Sequence, residues 1–147
     1  MATHNPGARI SERLSPQAFA ALERLCFEKP WGADSFAPGN TWLYFSYWTG
    51  PSCIAYAAVA LVADEMELLR IAVHPDQRRK GYAARLLAAI ARRGKALDVR
   101  SLFLEVSDTN QEAKAFYTAQ GWKLVGRRRG YYGPGEDALL MRLNLTP

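Results

Sequence analysis

Residues 70–87 read R-I-A-V-H-P-D-Q-R-R-K-G-Y-A-A-R-L-L, and the fold turns on how that stretch is parsed. The apolar run Ile71, Ala72, Val73 stops at Pro75, which cannot continue a strand ladder. Beyond it, Ala83, Leu86, Leu87, Ile90, Ala91 and Gly94 recur at helical spacing. The stretch therefore predicts a strand, a sharp turn, and a helix over residues 79–95. Its junction, Arg78-Arg79-Lys80-Gly81-Tyr82-Ala83, is cationic, and Gly81, Ala83 and Ala84 let the backbone approach a ligand. The first N–H groups of a helix lack intrahelical partners and favour an anion. A diphosphate suits such a junction. So does a plain basic turn punctuated by Gly81.

Outward from there, 147 residues suit one domain with a proper core, residues 9–147, behind a flexible tail at residues 1–8. Apolar residues make up 49% and charged ones 22%, which excludes a disordered chain. The net charge of +5 suits an anionic ligand or surface; no nucleic-acid module is visible and none is expected as a partner. Cys26 and Cys53 make no metal spacing, and with only His4 and His74 no metal site is expected. A disulfide between the two cysteines stays open beside the reduced, cytoplasmic reading. There is no apolar signal core and no run long enough to span a membrane.

The chain reads in the order β-α-α-β-β-β-α-β-α-β-β. Residues 9–14 predict a short strand. Ser15-Pro16 opens a helix as N-cap and N1, with Phe19, Leu22, Leu25 and Cys26 turned to the core. A short second helix is expected at residues 34–36. Strands at 41–48, 53–63 and 66–73 form an antiparallel meander, with turns at Thr49-Gly50-Pro51-Ser52 and Asp64-Glu65. The strand at 99–106 follows a helix and should pair parallel to the strand before that helix. A helix at 110–120 is closed by Gly121, and a hairpin over 122–132 and 137–145 ends the chain.

Two residues are odd for their places. Glu105 interrupts the apolar strand Leu102-Phe103-Leu104-Glu105-Val106, expected to be covered on both faces. A carboxylate there is costly unless paired, solvated at a strand end, or facing a cleft. Tyr117 belongs to the stripe with Ala113 and Phe116, where a core tyrosine is the default. Asn110 is a good N-cap, and Trp31, after the break Lys29-Pro30, reads as a packing aromatic or the wall of a cleft.

Arg78-x-x-Gly81-x-Ala83 after I-A-V-H-P resembles the phosphate-loop signature of the GNAT superfamily of N-acetyltransferases. The segment L-E-V-S-D-T-N-Q-E-A-K-A-F-Y-T-A-Q-G-W, the F-E-K-P-W near residue 30 and the closing R-R-R-G-Y-Y-G-P-G-E-D-A-L-L-M resemble its RimI type, the ribosomal-protein-alanine N-acetyltransferases. The resemblance implies the acyl-CoA N-acyltransferase fold, α/β with a mixed, mostly antiparallel central sheet flanked by helices. It implies acetyl-CoA as co-substrate, with Glu105 as general base and Tyr117 as general acid. Coenzyme contacts would fall to Ile71, Ala72, Val73, Arg78, Arg79, Lys80, Gly81, Tyr82, Ala83, Ala84 and Asn110. Trp31, Tyr131 and Tyr132 would border the acceptor. Ser107, Lys114 and Gln120-Gly121-Trp122 depart from the RimI pattern. Arg127, Arg128 and Arg129 could attract acidic groups beside a substrate N-terminus, or simply be exposed. The implied activity is acetylation of a protein N-terminal α-amine, on a ribosomal protein. Rivals on the same frame are a small-molecule or lysine acetyltransferase and a binding-only acyl-CoA module.

Overall fold

The structure, a computed structural model, describes residues 8–36 and 41–145. Its elements are β1 (Ala8–Ser11), α1 (Pro16–Cys26), a 3-10 turn (Ala33–Phe36), β2 (Trp42–Thr49), β3 (Ser52–Val62) and β4 (Glu65–Val73). After a second 3-10 turn (Pro75–Gln77) come α2 (Tyr82–Ala96), β5 (Ser101–Ser107), α3 (Gln111–Ala119), β6 (Lys123–Gly133) and β7 (Glu136–Asn144). The order is the expected one, with the second expected helix reduced to a 3-10 turn. Of the tail expected at residues 1–8, residues 1–7 lie outside the described residues, and Ala8 already belongs to β1. No helix among the described residues is long and apolar enough to cross a membrane.

The seven strands are hydrogen-bonded in the order β1-β2-β3-β4-β5-β7-β6. Contacts divide the chain into two compact units, residues 1–61 with 68–90, and residues 62–67 with 91–147.

In the first unit, α1 begins on Pro16, whose fixed φ suits a first helical turn. Ser15 precedes it without a side-chain cap; its carbonyl takes the Phe19 N–H at 3.0 Å. Phe19 and Leu22 are buried as expected, but Leu25 is 56% exposed. Counting from Phe19 at 3.6 residues per turn, Leu25 stands about 120° round the helix while Glu23 is only about 40° away. Glu23 therefore takes the core position and is fully buried. Phe19 stacks on Tyr56 at 4.6 Å between centroids and meets Phe36 edge-on at 5.5 Å. These rings, with Tyr44, Ala58 and Ala72, form the core of this unit.

In the second unit, β4 and β5 pair parallel, with Glu65 opposite Ser101 and Glu67 opposite Phe103. The crossover through α2 makes that direction natural. β7, not β6, pairs with β5, placing Leu140 opposite Glu105, and β6 is left as the exposed edge. Strand alternation then sorts the side chains. Leu102, Leu104 and Val106 are buried on one face; Phe103, Glu105 and Ser107 are half-buried on the other. Gly94 of α2 lies against Met66, Val99 and Leu145, and Gly121 after α3 lies against Leu143. Those contacts put α3 and the last residues of α2 on the face opposite Glu105. The expectation that β5 is covered on both faces is thus corrected, and a carboxylate is tolerated because its face is half-open.

Candidate active site

The loop before α2 belongs to the first unit. Arg79 adopts φ 64° and Gly81 φ 85°, so the chain passes through left-handed backbone just before α2. The Gly81 carbonyl accepts the Arg85 N–H at 3.0 Å, which makes Gly81 the last residue outside the helix. The N–H groups of Tyr82, Ala83 and Ala84 thereby lack intrahelical acceptors. A Cβ built on Gly81 would meet nothing within 4 Å, so the cradle before these donors is open. The cations behave differently from one another. Arg78 turns back, its Nε donating to the Val73 carbonyl at 3.2 Å, and Lys80 Nζ donates to Gln77 Oε1 at 3.3 Å. Arg79 is exposed. Tyr82 is buried to 1%, its ring 5.5 Å from Tyr47, so it offers a ligand its backbone and not its phenol. At the end of β4, Ala72 is buried while Ile71 and Val73 are half-buried. The Val73 carbonyl also receives the Cys26 thiol at 3.3 Å.

The second unit presents Glu105. Register brings Glu67, Glu105 and Arg128 to one face of the sheet, on β4, β5 and β6. Arg128 Nη2 lies 3.3 Å from Glu105 Oε1; the carboxylate side chain is 18% exposed and the guanidinium 63%. Burial raises the Glu67 pKa, the neighbouring Glu105 charge adds to that, and Arg128 opposes it. Two carboxylates thus share one loosely held cation. The ladder between β6 and β7 is irregular from Arg128 to Gly133. Gly130, at φ 63°, turns there and donates its N–H to Asp137 Oδ1 at 2.8 Å. The irregularity leaves Tyr131 and Tyr132 exposed, their rings edge-to-face at 5.1 Å. Partial burial, then the Glu105 charge, raises the Tyr132 phenol pKa. That field ties Tyr132 to the surroundings of Glu105.

Asn110 acts as the N-cap of α3, its Oδ1 accepting the Ala113 N–H at 3.1 Å, so its side-chain oxygen is engaged in the helix. Tyr117 is 7% exposed between Phe116 and Trp122, and burial pushes its pKa up to about 12. Its phenol keeps its proton at neutral pH. Glu105 and Tyr117 both belong to the second unit. Trp31, in the first unit, packs against Phe36 at 5.9 Å and Trp42 at 5.7 Å. Cys26 and Cys53 are free thiols.

Three charged residues escaped the sequence reading. Glu23 accepts from Trp31 N–H at 2.8 Å, Tyr56 O–H at 2.5 Å and Arg70 Nη2 at 2.8 Å. Arg70 in turn lies over the Phe27 ring at 3.8 Å and the Trp31 ring at 4.8 Å. A Glu on the apolar stripe of α1 was the available signal. Glu67 had none, because only strand order brings it to Glu105. Of the arginines at residues 127–129, two meet carboxylates of this chain. Arg127 is held by Asp137 at 2.7 Å and Asp108 at 3.2 Å, and Arg128 by Glu105.

A cavity of about 410 Å³ lies elsewhere in the second unit, lined by Asp64, Glu65, Arg100, Ser101, Arg142 and Asn144. Ser101 is four residues before Glu105, about 13 Å along the strand. The cavity's charges answer one another: Arg142 pairs with Glu65 and Ser101, and Arg100 with Asp64 at 3.5 Å. It opens on the same face of the sheet as Glu105, toward the start of β5.

The loop before α2 has left-handed backbone at Arg79 and Gly81, and the strand carboxylate Glu105 is half-buried. The family model of the Acetyltransferase (GNAT) family matches residues 16–122, and the chain belongs to that family. Escherichia coli K12 ribosomal protein bS18-alanine N-acetyltransferase is 32% identical over 130 residues, covering 85% of this chain and 88% of that one. The Haemophilus ducreyi protein of the same name is 30% identical, covering 84% and 90%. The crystal structure of the Escherichia coli ribosomal-protein-S18-alanine N-acetyltransferase superposes with a TM-score of 0.86 at 30% identity, covering 95% of each chain. An aminoglycoside 6'-N-acetyltransferase complexed with coenzyme A reaches the same TM-score, 0.86, at 14% identity, which shows the fold alone.

Proposed function

We propose that this acetyltransferase moves the acetyl group of acetyl-CoA to the N-terminal α-amine of a protein, with a ribosomal protein as the acceptor. The observation that carries the reading is the likeness, along most of both chains, to enzymes named ribosomal protein bS18-alanine N-acetyltransferase. The open cradle at Gly81 and the free N–H groups of Tyr82, Ala83 and Ala84 fit a diphosphate. Ile71, Ala72 and Val73 would offer backbone to the pantetheine arm, and Asn110 its remaining amide group. Bound there, acetyl-CoA supplies an activated acyl carbon and a thiolate leaving group.

The protein's own work is to manage protons. An α-amine has a pKa of about 8, so at neutral pH it arrives mostly as an ammonium ion. Glu105, a half-buried carboxylate, takes that proton directly or through a water. The freed nitrogen then forms its bond to the acyl carbon as the carbon–sulfur bond breaks, and it sheds its second proton to water. Tyr117, protonated until about pH 12, gives its proton to the departing sulfur. No covalent enzyme intermediate is needed, so the cysteines have no part in the reaction, and orientation of the two substrates supplies much of the rate.

The test is mass spectrometry of acetyl transfer to peptides beginning with Ala, against the same peptides with blocked N-termini. The expected result is acetylation of the free α-amine only. Modification confined to lysine side chains, or no transfer despite coenzyme binding, would move the acceptor elsewhere.

A further inference from the structure

We propose that Arg128 is a positioning residue of the acceptor-amine site. Its guanidinium holds the Glu105 carboxylate on the open face while the site is empty, and yields that carboxylate to the acceptor's ammonium group. The proposal rests on Glu105 being the base. It starts from a reach across the sheet. Arg128 is opposite Ala138 on β7, and Glu105 is opposite Leu140 on the same strand. The side chain therefore spans β7, over a small residue and an apolar one, to meet a carboxylate two strands away, about 10 Å at ordinary strand spacing.

The contact is suited to exchange. At 3.3 Å it is longer than a tight charge-assisted bond, and the guanidinium is 63% exposed. Water can take over the arginine cheaply when it leaves. The Tyr131 ring, 5.4 Å from its guanidinium carbon, offers a second resting place close by. The carboxylate cannot do without a cation so easily, because Glu67 also faces it from β4. The other groups around Glu105 do not supply one. Tyr132 and Ser107 are neutral, Leu140 is apolar, and Glu136 is acidic and accepts from Ser107 at 2.6 Å. Arg142, farther down β7 opposite Phe103, is tied to Glu65. Two carboxylates with one guanidinium carry a net charge of −1, and an incoming ammonium brings it to zero. Arg128 and the substrate thus compete for the same oxygen. They also cooperate, because the guanidinium keeps the Glu105 carboxylate in place on the open face until the substrate arrives.

The experiment compares wild type, Arg128→Gln, Arg128→Lys and Glu105→Gln on an Ala-initiated peptide, reading kcat and KM from pH 5 to 9. Arg128→Gln is expected to lower the peptide KM roughly two- to fivefold, the worth of a weak exposed pair. The coenzyme KM should stay put, kcat should hold within about threefold, and Arg128→Lys should restore the peptide KM. Glu105→Gln should lower kcat by about a hundredfold. An unchanged peptide KM in Arg128→Gln, with kcat lost in Glu105→Gln, overturns the role of Arg128 and leaves the base standing. A kcat that survives Glu105→Gln removes the base and the proposal with it.

Discussion

Replacing Glu23 with Gln tests how the first unit is held together. The Glu23 carboxylate is fully buried and receives Trp31 N–H, Tyr56 O–H and two nitrogens of Arg70, all between 2.5 and 3.2 Å. Gln keeps the shape but removes the charge and turns an amine toward donors. Arg70, with a side chain 21% exposed, is left without its counter-ion. Breaking one partner of a buried pair costs about 3–5 kcal/mol. For a chain of this size each kcal/mol moves the melting temperature about 2–4 °C, so a loss near 4 kcal/mol predicts a fall of about 8–16 °C. The assay is a thermal melt followed by circular dichroism, with Tyr56→Phe as companion. That variant removes one hydrogen bond to a charged acceptor and should cost about 1.5–3 kcal/mol. Glu23→Leu with Arg70→Met, which removes both charges, should recover most of the loss. If Glu23→Gln melts within about 2 °C of wild type, or the double variant is worse than Glu23→Gln alone, the pair is not what braces residues 27–31.

Other consequences follow from the same structure. Tyr117→Phe should lower kcat by about a hundredfold while leaving the peptide KM near wild type, as loss of a general acid does; a kcat within twofold removes the phenol from the reaction. Gly81→Glu should weaken coenzyme binding, measured by calorimetry, because a carboxylate and a strained positive φ both enter the anion cradle; unchanged affinity places the phosphates elsewhere. Stability should fall between pH 9 and 12 under reducing conditions. Burial raises Cys53 from 9.0 to about 12 and Tyr117 from 10.0 to about 12, so the folded state keeps protons the unfolded chain releases. The contribution is complete below pH 9 and gone above about 12. Cys53→Ala should flatten the drop in melting temperature over that window, and an unchanged slope would refute the linkage.

The sequence carried the element order because its signals are local. Pro16, Pro75, Gly81 and Gly121 each stand at an element boundary, and the helical spacing from Ala83 to Gly94 needs no knowledge of the rest of the chain. What it could not carry was strand order. That β7 rather than β6 pairs with β5 depends on where the chain returns after α3, and no residue states it. Glu105 was visible as a carboxylate in an apolar strand, yet the sheet layering expected around it was wrong. Its open face follows from α3 and the last residues of α2 packing on the other side. Glu23 was hidden for a different reason. A stripe read by counting apolar residues passes over a charged one, and Leu25 was taken in its place.

The arginine run shows why charge counted along a chain misleads about charge on a surface. Arg127, Arg128 and Arg129 are neighbours in sequence and suggest one cationic patch. Strand alternation turns adjacent residues to opposite faces, and Arg127 is clamped between Asp108 and Asp137 while Arg128 reaches Glu105. The clamp works in both directions. The Gly130 N–H, then Arg127, hold the Asp137 carboxyl below its usual range. If Arg128 yields Glu105 as proposed, the surface an acceptor would meet beside Tyr131 and Tyr132 is a carboxylate pair partly covered by one guanidinium, and it would select the cation that an unmodified protein N-terminus brings with it.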